Sequence, residues 1–187
     1  MILWPEMSDE TKQSIWEMIK FAAITVAIVL PIRAYVAQPF IVSGSSMVPT
    51  FENGEYLVID EFSYHLRAPE RGEVVVFRYP KDPSKFFIKR VIGLPGETVS
   101  MSPAGVTIIK PNKEEVMIDE PYVSEQNLPY QTVKLGEDEY YVMGDNRPAS
   151  LDSRVWGPVE EKLIRGRVFL RLLPFSTLSL LPGDATK

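Results

Sequence analysis

Phe86-Phe87-Ile88-Lys89-Arg90-Val91-Ile92-Gly93 is a short apolar run with two cations at its centre. In an extended strand successive side chains point to opposite faces. Phe87, Lys89 and Val91 therefore share one face, and Ile88, Arg90 and Ile92 the other. The run stops at Leu94-Pro95-Gly96, a turn signal. The same texture extends outward in both directions. Tyr56-Leu57-Val58-Ile59 follows the turn-like Glu52-Asn53-Gly54, and residues 74–79 follow Arg71-Gly72 and stop at Pro80. Residues 106–109, 140–143 and 167–173 are further runs. Valine, isoleucine and aromatics at this spacing, with Gly, Pro and Asn between them, predict a mostly β domain. The 16 prolines favour turns and sheet edges over long helices. Residues 98–138, richer in Pro, Lys, Glu and Asn, predict a peripheral β excursion or lid.

Upstream the texture is different. Residues 21–32 are apolar apart from Thr25, with Lys20 before them and Arg33 behind. Long cationic side chains at such ends snorkel to lipid headgroups, and counting from Trp16 to Val36 gives about the twenty residues that a bilayer core needs. Pro31 is tolerated in such helices. A transmembrane anchor over 16–37 is therefore expected. A cleaved signal peptide and a buried core helix are the competing readings. Against the first, the leading segment carries Glu6, Asp9, Glu10 and Glu17 against only Lys12 and Lys20, and no small-residue cleavage box follows at once. Because of the same acidic flank, the positive-inside rule does not orient the helix. The expected organisation is an N-terminal segment (1–15), the anchor (16–37), a β-rich domain (38–178) and a C-terminal tail (179–187).

Composition removes several classes of function. The 187 residues suffice for one well-packed core. A net charge of −5 argues against a nucleic-acid partner. The absence of cysteine excludes disulfides, thiolate zinc sites and cysteine-peptidase chemistry. His65 is the single histidine, so no multi-histidine metal site exists, and a Ser-His-Asp triad would have to use that residue. It lies in Phe62-Ser63-Tyr64-His65-Leu66-Arg67, with no acid and serine constellation around it. An ordinary loop or strand-end histidine is the favoured reading.

Three islands stand out from the β background. Ser43-Gly44-Ser45-Ser46-Met47-Val48-Pro49-Thr50 is a small-residue turn that suits a nucleophile, because substrate backbone can approach closely and successive N–H groups can face an oxyanion. A flexible linker is the alternative. In the second island, Lys89 between Phe87 and Val91 would be desolvated, which disfavours the ammonium form as a lysine general base requires. The alternative is a strand whose Lys and Arg snorkel outward. The third, Gly144-Asp145-Asn146-Arg147-Pro148-Ala149-Ser150-Leu151-Asp152-Ser153-Arg154, is dense in groups that fix a polar network. An Asp152–Arg154 pair would hold it rigid. A purely structural turn is its alternative.

Together the islands resemble the bacterial type I signal peptidases, in a compact single-anchor variety. Ser46-Met47-Val48-Pro49-Thr50 is similar to the family's nucleophile box, and Lys89-Arg90-Val91-Ile92-Gly93-Leu94-Pro95-Gly96-Glu97 to its lysine box. Residues 144–154 are similar to its last box, and Gly72-Glu73-Val74-Val75-Val76-Phe77 to a fourth. The resemblance covers nearly all of residues 16–175. It implies Ser46 as nucleophile, Lys89 as general base, Ser150 as the residue orienting that lysine, and Asp152 with Arg154 as a structural ion pair. It implies the Ser46 N–H as one oxyanion donor. Gly44 stands where some members place a hydroxyl donor, which leaves the second donor open, with Ser43 and Ser45 as neighbours able to substitute. Pro148 departs from the acidic residue of some relatives. Phe40, Val42, Val76 and Ile88 correspond to residues lining small pockets that accept alanine-like side chains.

The resemblance further implies a membrane-bound endopeptidase that removes signal peptides from exported preproteins through an acyl-enzyme. It would need no metal and no cofactor. Its partners would be signal peptides and membrane lipid, and its catalytic domain would lie on the extracytoplasmic face. Two rivals stand beside this reading. A self-cleaving repressor-type peptidase would need a DNA-binding N-terminal domain, where this chain has an apolar helix. A tethered β domain that binds exported peptides without cutting them would not need Ser46, Lys89 and Ser150 together.

Overall fold

The structure is a computed structural model that describes residues 9–31, 38–125 and 127–185. The chain divides into two units, Met1–Ala37 and Gln38–Lys187.

The described part of the first unit is one helix, α1 (Asp9–Pro31). It begins ahead of residue 16, with Asp9 and Glu10 in the first turn, where carboxylates favour the positive end of the helix dipole. Lys20 pairs with Glu17 and lies over the Trp16 ring. Phe21, Ile24, Val26 and Val29 are exposed. Among the described residues no helix is long and apolar enough to cross a membrane. The helix starts at Asp9, ahead of the expected anchor limits of 16–37, its first half is charged, and residues 32–37 lie outside the described residues.

Among its described residues the second unit has twelve strands in two sheets. The larger sheet runs β1 (Gln38–Ile41), β2 (Tyr56–Asp60), β11 (Ile164–Leu173), β3 (Val74–Tyr79), β4 (Asp82–Gly93), β9 (Glu139–Met143), β10 (Val159–Glu160), with β12 (Ser179–Leu180) paired to β11. All its pairings are antiparallel. The smaller sheet runs β7 (Glu115–Met117), β6 (Gly105–Ile109), β5 (Thr98–Ser102), β8 (Gln131–Lys134), and occupies the stretch read as a β excursion. One further helix, α2 (Ser153–Trp156), closes the loop after β9. Residues 179–180, within the expected C-terminal tail, pair with β11 at Leu170 and Arg171.

β4 lies within the larger sheet because both of its faces are apolar. Phe87 and Val91 join Val75, Phe77, Tyr140, Val142, Trp156 and Val159 in one cluster. Ile88 packs with Val42, Met47, Leu57, Val74 and Val76 in a second. Ile92 joins Tyr141 and Met143 under the smaller sheet in a third, with Val99, Met101, Val106 and Ile108. The alternation in the sequence is thus the alternation of the strand. The loop before β3 is tied down by Glu73, a buried carboxylate accepting from Tyr64 Oη at 3.0 Å, Arg67 Nη1 at 3.1 Å and the Glu70 N–H at 2.8 Å.

Gly93 ends β4 where the two sheets meet, and a Cβ there would lie 2.5 Å from Val99 Cγ2 and 2.8 Å from Leu135 Cδ1. Gly93→Ala is expected to destabilise the domain by about 1–3 kcal/mol through overpacking. A urea midpoint equal to that of the wild type would show that the two sheets have room to separate there.

Candidate active site

The first island folds into a turn anchored at both ends. The Val42 N–H donates to Glu55 O and the Gly54 N–H to Val42 O, each at 2.9 Å, closing a loop over residues 42–55. Met47 and Phe51 face the core from within the turn, and the Phe51 N–H donates to Met47 O at 2.9 Å. These contacts leave Ser46, half-buried, on the outer side of the turn.

β4 brings the second island to it. Lys89 Nζ lies 2.6 Å from Ser46 Oγ and 2.8 Å from Ile88 O. Lys89 is buried and its ammonium position lies 5.6 Å from the Phe87 ring centroid. Burial pulls its pKa from 10.5 down to about 8, against the opposing pull of the Asp152 and Asp145 charges. An amine of that pKa is substantially neutral in mildly alkaline solution, and neutral is the form that accepts a proton.

The third island wraps the pair from the other side. Asn146 holds the Ser46 turn twice: its N–H donates to Ser46 O and its Nδ2 to Ser45 O, both at 3.1 Å. Asp145 is fully buried against Arg90, with Oδ1 2.9 Å from Nε and Oδ2 2.6 Å from Nη2. Asp152 accepts from Arg154 Nε and Nη2, both at 2.8 Å, and from the Gly144 N–H at 3.0 Å. Burial pushes the Asp152 carboxyl up, but the Arg154 hydrogen bonds and charge and the Gly144 N–H together hold it below the usual carboxylate range. Arg147 reaches across to Glu120 of the excursion, both side chains fully buried. Pro148 lies in the short 3-10 turn that follows, Arg147–Ala149.

Two sequence expectations meet a different geometry. Gly44 has φ +95, and its N–H donates to Asn53 Oδ1 at 2.9 Å, so that donor is committed within the loop and does not face an oxyanion. Ser150 Oγ makes no hydrogen bond to Lys89. It is buried close against Gly144, where a Cβ would approach it to 2.2 Å, and it turns toward Asp152, whose carboxyl it helps hold down. Ile88 O is the second contact of the amine. His65 is exposed at the end of the 3-10 turn Ser63–His65, with Nδ1 3.1 Å from Glu61 O. Arg90, Asp145, Asn146 and Thr50 complete the site without having been assigned roles from the sequence. For the first three the available signal was polar residues packed among glycines and strand ends.

A cleft of about 610 Å³ opens beside Ser46 and Lys89, lined by Phe40, Val42, Val76 and Ile88 together with Leu57 and Phe86. Phe40 meets Phe86 edge-to-face at 5.4 Å. A serine hydroxyl against a desolvated amine at the wall of an apolar cleft defines the serine hydrolase class of site. Comparison with known proteins gives the family. The chain belongs to the signal peptidase family, peptidase S26, whose model matches residues 15–173, and it is a serine endopeptidase. It is 39% identical to "Probable signal peptidase I-2" of Synechocystis over 96% of this chain and 83% of that protein. It is 34% identical to "Signal peptidase I" of Bacillus licheniformis over 92% and 96%. A solved signal peptidase I from Enterococcus faecalis V583 aligns at 30% identity with a TM-score of 0.47, over 55% of this chain and 97% of that one.

Arg154→Ala strands the buried Asp152 carboxylate and is expected to cost about 3 kcal/mol. The stability carried by the depressed Asp152 pKa is present above the ordinary carboxylate range and lost as pH falls through it. The variant should therefore lose less stability on acidification than the wild type. Urea melts from neutral to acid pH check both points, and parallel curves for the two proteins would contradict them.

Proposed function

We propose that this peptidase removes signal peptides from exported preproteins, with Ser46 as nucleophile and Lys89 as general base. The observation that carries the reading is the 2.6 Å contact between Ser46 Oγ and the buried Lys89 amine, on the wall of an apolar cleft where burial lowers the amine's pKa to about 8. Neutral Lys89 takes the hydroxyl proton as Ser46 Oγ attacks the scissile carbonyl. The resulting ammonium then gives a proton to the leaving amine. The same amine activates the water that hydrolyses the acyl-enzyme. Ile88 O accepts an N–H of the amine and so aims its lone pair at Ser46. The Ser46 N–H, which has no partner among the described residues, is one oxyanion donor. Ser43 and Ser45, both lining the cleft, are the candidates for the second, since the Gly44 N–H is taken.

Phe40, Val42, Val76 and Ile88 line the cleft wall, and their apolar side chains support a preference for small apolar side chains in the substrate. Membrane association is part of the same proposal. The apolar sequence of residues 21–32 and the exposed Phe21, Ile24, Val26 and Val29 of α1 support a single membrane anchor. The peptidase domain is assigned to the extracytoplasmic face of the cell membrane by the proposed substrates, exported preproteins, and not by the charges flanking the helix.

Ser46→Ala is expected to lower preprotein cleavage by at least about 10³-fold with the fold intact. Lys89→Arg should be equally inactive, because a guanidinium does not give up its proton, whereas His65→Ala should cleave normally. Cleavage by the arginine variant and none by the histidine variant would overturn the assignment. On peptide substrates, alanine at positions −1 and −3 should be accepted and lysine or phenylalanine at −1 refused. Efficient cutting after phenylalanine would show that the cleft does not select for size.

A further inference from the structure

Three islands of sequence form the site, and they converge on one guanidinium. Arg90 follows Lys89 on β4, binds Asp145 beside Asn146, and places Nη2 3.4 Å from Thr50 Oγ1 at the end of the Ser46 turn. Thr50 Oγ1 in turn donates to Asp145 Oδ2. Arg90 Nη1 donates to Gly72 O at 2.7 Å and to Gly183 O. The last of these contacts comes from the segment expected from the sequence to be a tail.

That segment is built into the domain. The Leu181 N–H donates to Phe169 O at 2.7 Å and Pro182 is buried. Ala185 lies against Gly72, where a Cβ would come within 3.1 Å of the Ala185 carbonyl carbon. Gly183 adopts φ +75, a conformation that glycine takes without strain. A Cβ at Gly183 would stand 2.5 Å from Thr50 Cγ2, 3.3 Å from Phe51 Cε2 and 3.4 Å from Val74 Cγ2. The segment therefore touches the nucleophile turn through Thr50 and Phe51, and the base strand through Arg90.

We propose that residues 181–185 are a positioning element of the active site, in which the Gly183 carbonyl and its close packing on Thr50 clamp Arg90 and thereby hold Ser46 against Lys89. This rests on the Ser46–Lys89 reading above. Its physical basis is that the clamp closes the fourth side of a guanidinium already held by Asp145, Gly72 and Thr50, with the Tyr122 ring on its face at 3.8 Å. Loosening it frees Arg90 to leave Asp145. The charged groups around Lys89 are Arg90 on its own strand, Asp145, Asp152 and Arg154 on the loop, and Lys85 at the cleft. An Asp145 no longer matched by Arg90 favours the Lys89 ammonium, so the acid limb of the rate profile moves to higher pH.

The test is Gly183→Ala in the full chain, assayed on a preprotein whose signal peptide carries alanine at −1 and −3. The expected result is a folded protein with kcat lowered by about ten- to a hundredfold, KM little changed, and the acid limb of kcat/KM shifted to higher pH. A purely structural defect would lower the urea midpoint without moving the limb. Adding Thr50→Ser removes the methyl that the new Cβ strikes and keeps the hydroxyl on Asp145. The double variant should recover the part of the lost kcat due to the methyl clash and move the limb back, the strain of a side chain at φ +75 remaining, and it replaces the single variant, against Thr50→Ser alone, if Gly183→Ala does not fold. Wild-type kcat and pH profile in the folded single variant, or a loss that Thr50→Ser leaves untouched, overturns the proposal. Ser46→Ala run alongside separates the two readings: activity there defeats the dyad itself, whereas inactivity there with an unaffected Gly183→Ala defeats only the clamp.

Discussion

The Arg90–Asp145 pair is the constraint on which the rest of the domain depends. Both side chains are fully buried, and removing two charges from water costs several kcal/mol per ion unless each donor and lone pair is answered. Arg90 is answered on every side, by the two Asp145 oxygens, by the carbonyls of Gly72 and Gly183, by Thr50 and by the Tyr122 ring. Satisfying one guanidinium therefore fixes five separate pieces of chain. Two of them, at Thr50 and Asp145, join β4 itself in carrying the site; Tyr122 supplies its ring, and Gly72 and Gly183 are backbone carbonyls whose geometry only the surrounding fold can set.

The electrostatics of Lys89 follow from the same arrangement. Burial favours its neutral amine, while Asp145 and Asp152 favour the ammonium. Each of those carboxylates is matched by an arginine held against it, Arg90 and Arg154. The two ion pairs thus do more than brace the loop. They keep the nearest negative charges neutralised, so that desolvation wins at the amine beside Ser46, as its proposed role as a base requires. A Ser-Lys site needs a dry lysine, and a dry lysine needs its carboxylate neighbours paired.

Much of this was legible in the sequence. The alternation of residues 86–92 placed Phe87 and Val91 on one cluster and Ile88 on another, and the runs at 56–59, 74–79, 140–143 and 167–173 fall on β2, β3, β9 and β11. The strands that escaped were short ones such as β1, β7, β10 and β12. Two to four residues carry too little periodicity, and β1 holds a proline tolerable only at a sheet edge. Phe40, Val42, Val76 and Ile88 meet in one cleft with Ser46 and Lys89. What was not legible depends on backbone direction. Nothing in Gly44 announces that its N–H turns to Asn53, nor in Ser150 that its hydroxyl lies against Gly144, nor in Gly183 that its carbonyl meets a guanidinium ninety-odd residues upstream. The charged first half of α1 likewise divides a helix that the apolar count alone treats as one span.

The central claim is that Lys89 is a base because it is desolvated beside Ser46, and its titration tests that most directly. Selective ¹³C labelling at lysine Cε, with Lys89→Arg used to assign the resonance, allows its chemical shift to be followed from pH 6 to 11. The account predicts a midpoint near 8, well below the 10.5 of an ordinary lysine. A Lys89 resonance that titrates with the exposed lysines near 10.5 would contradict it.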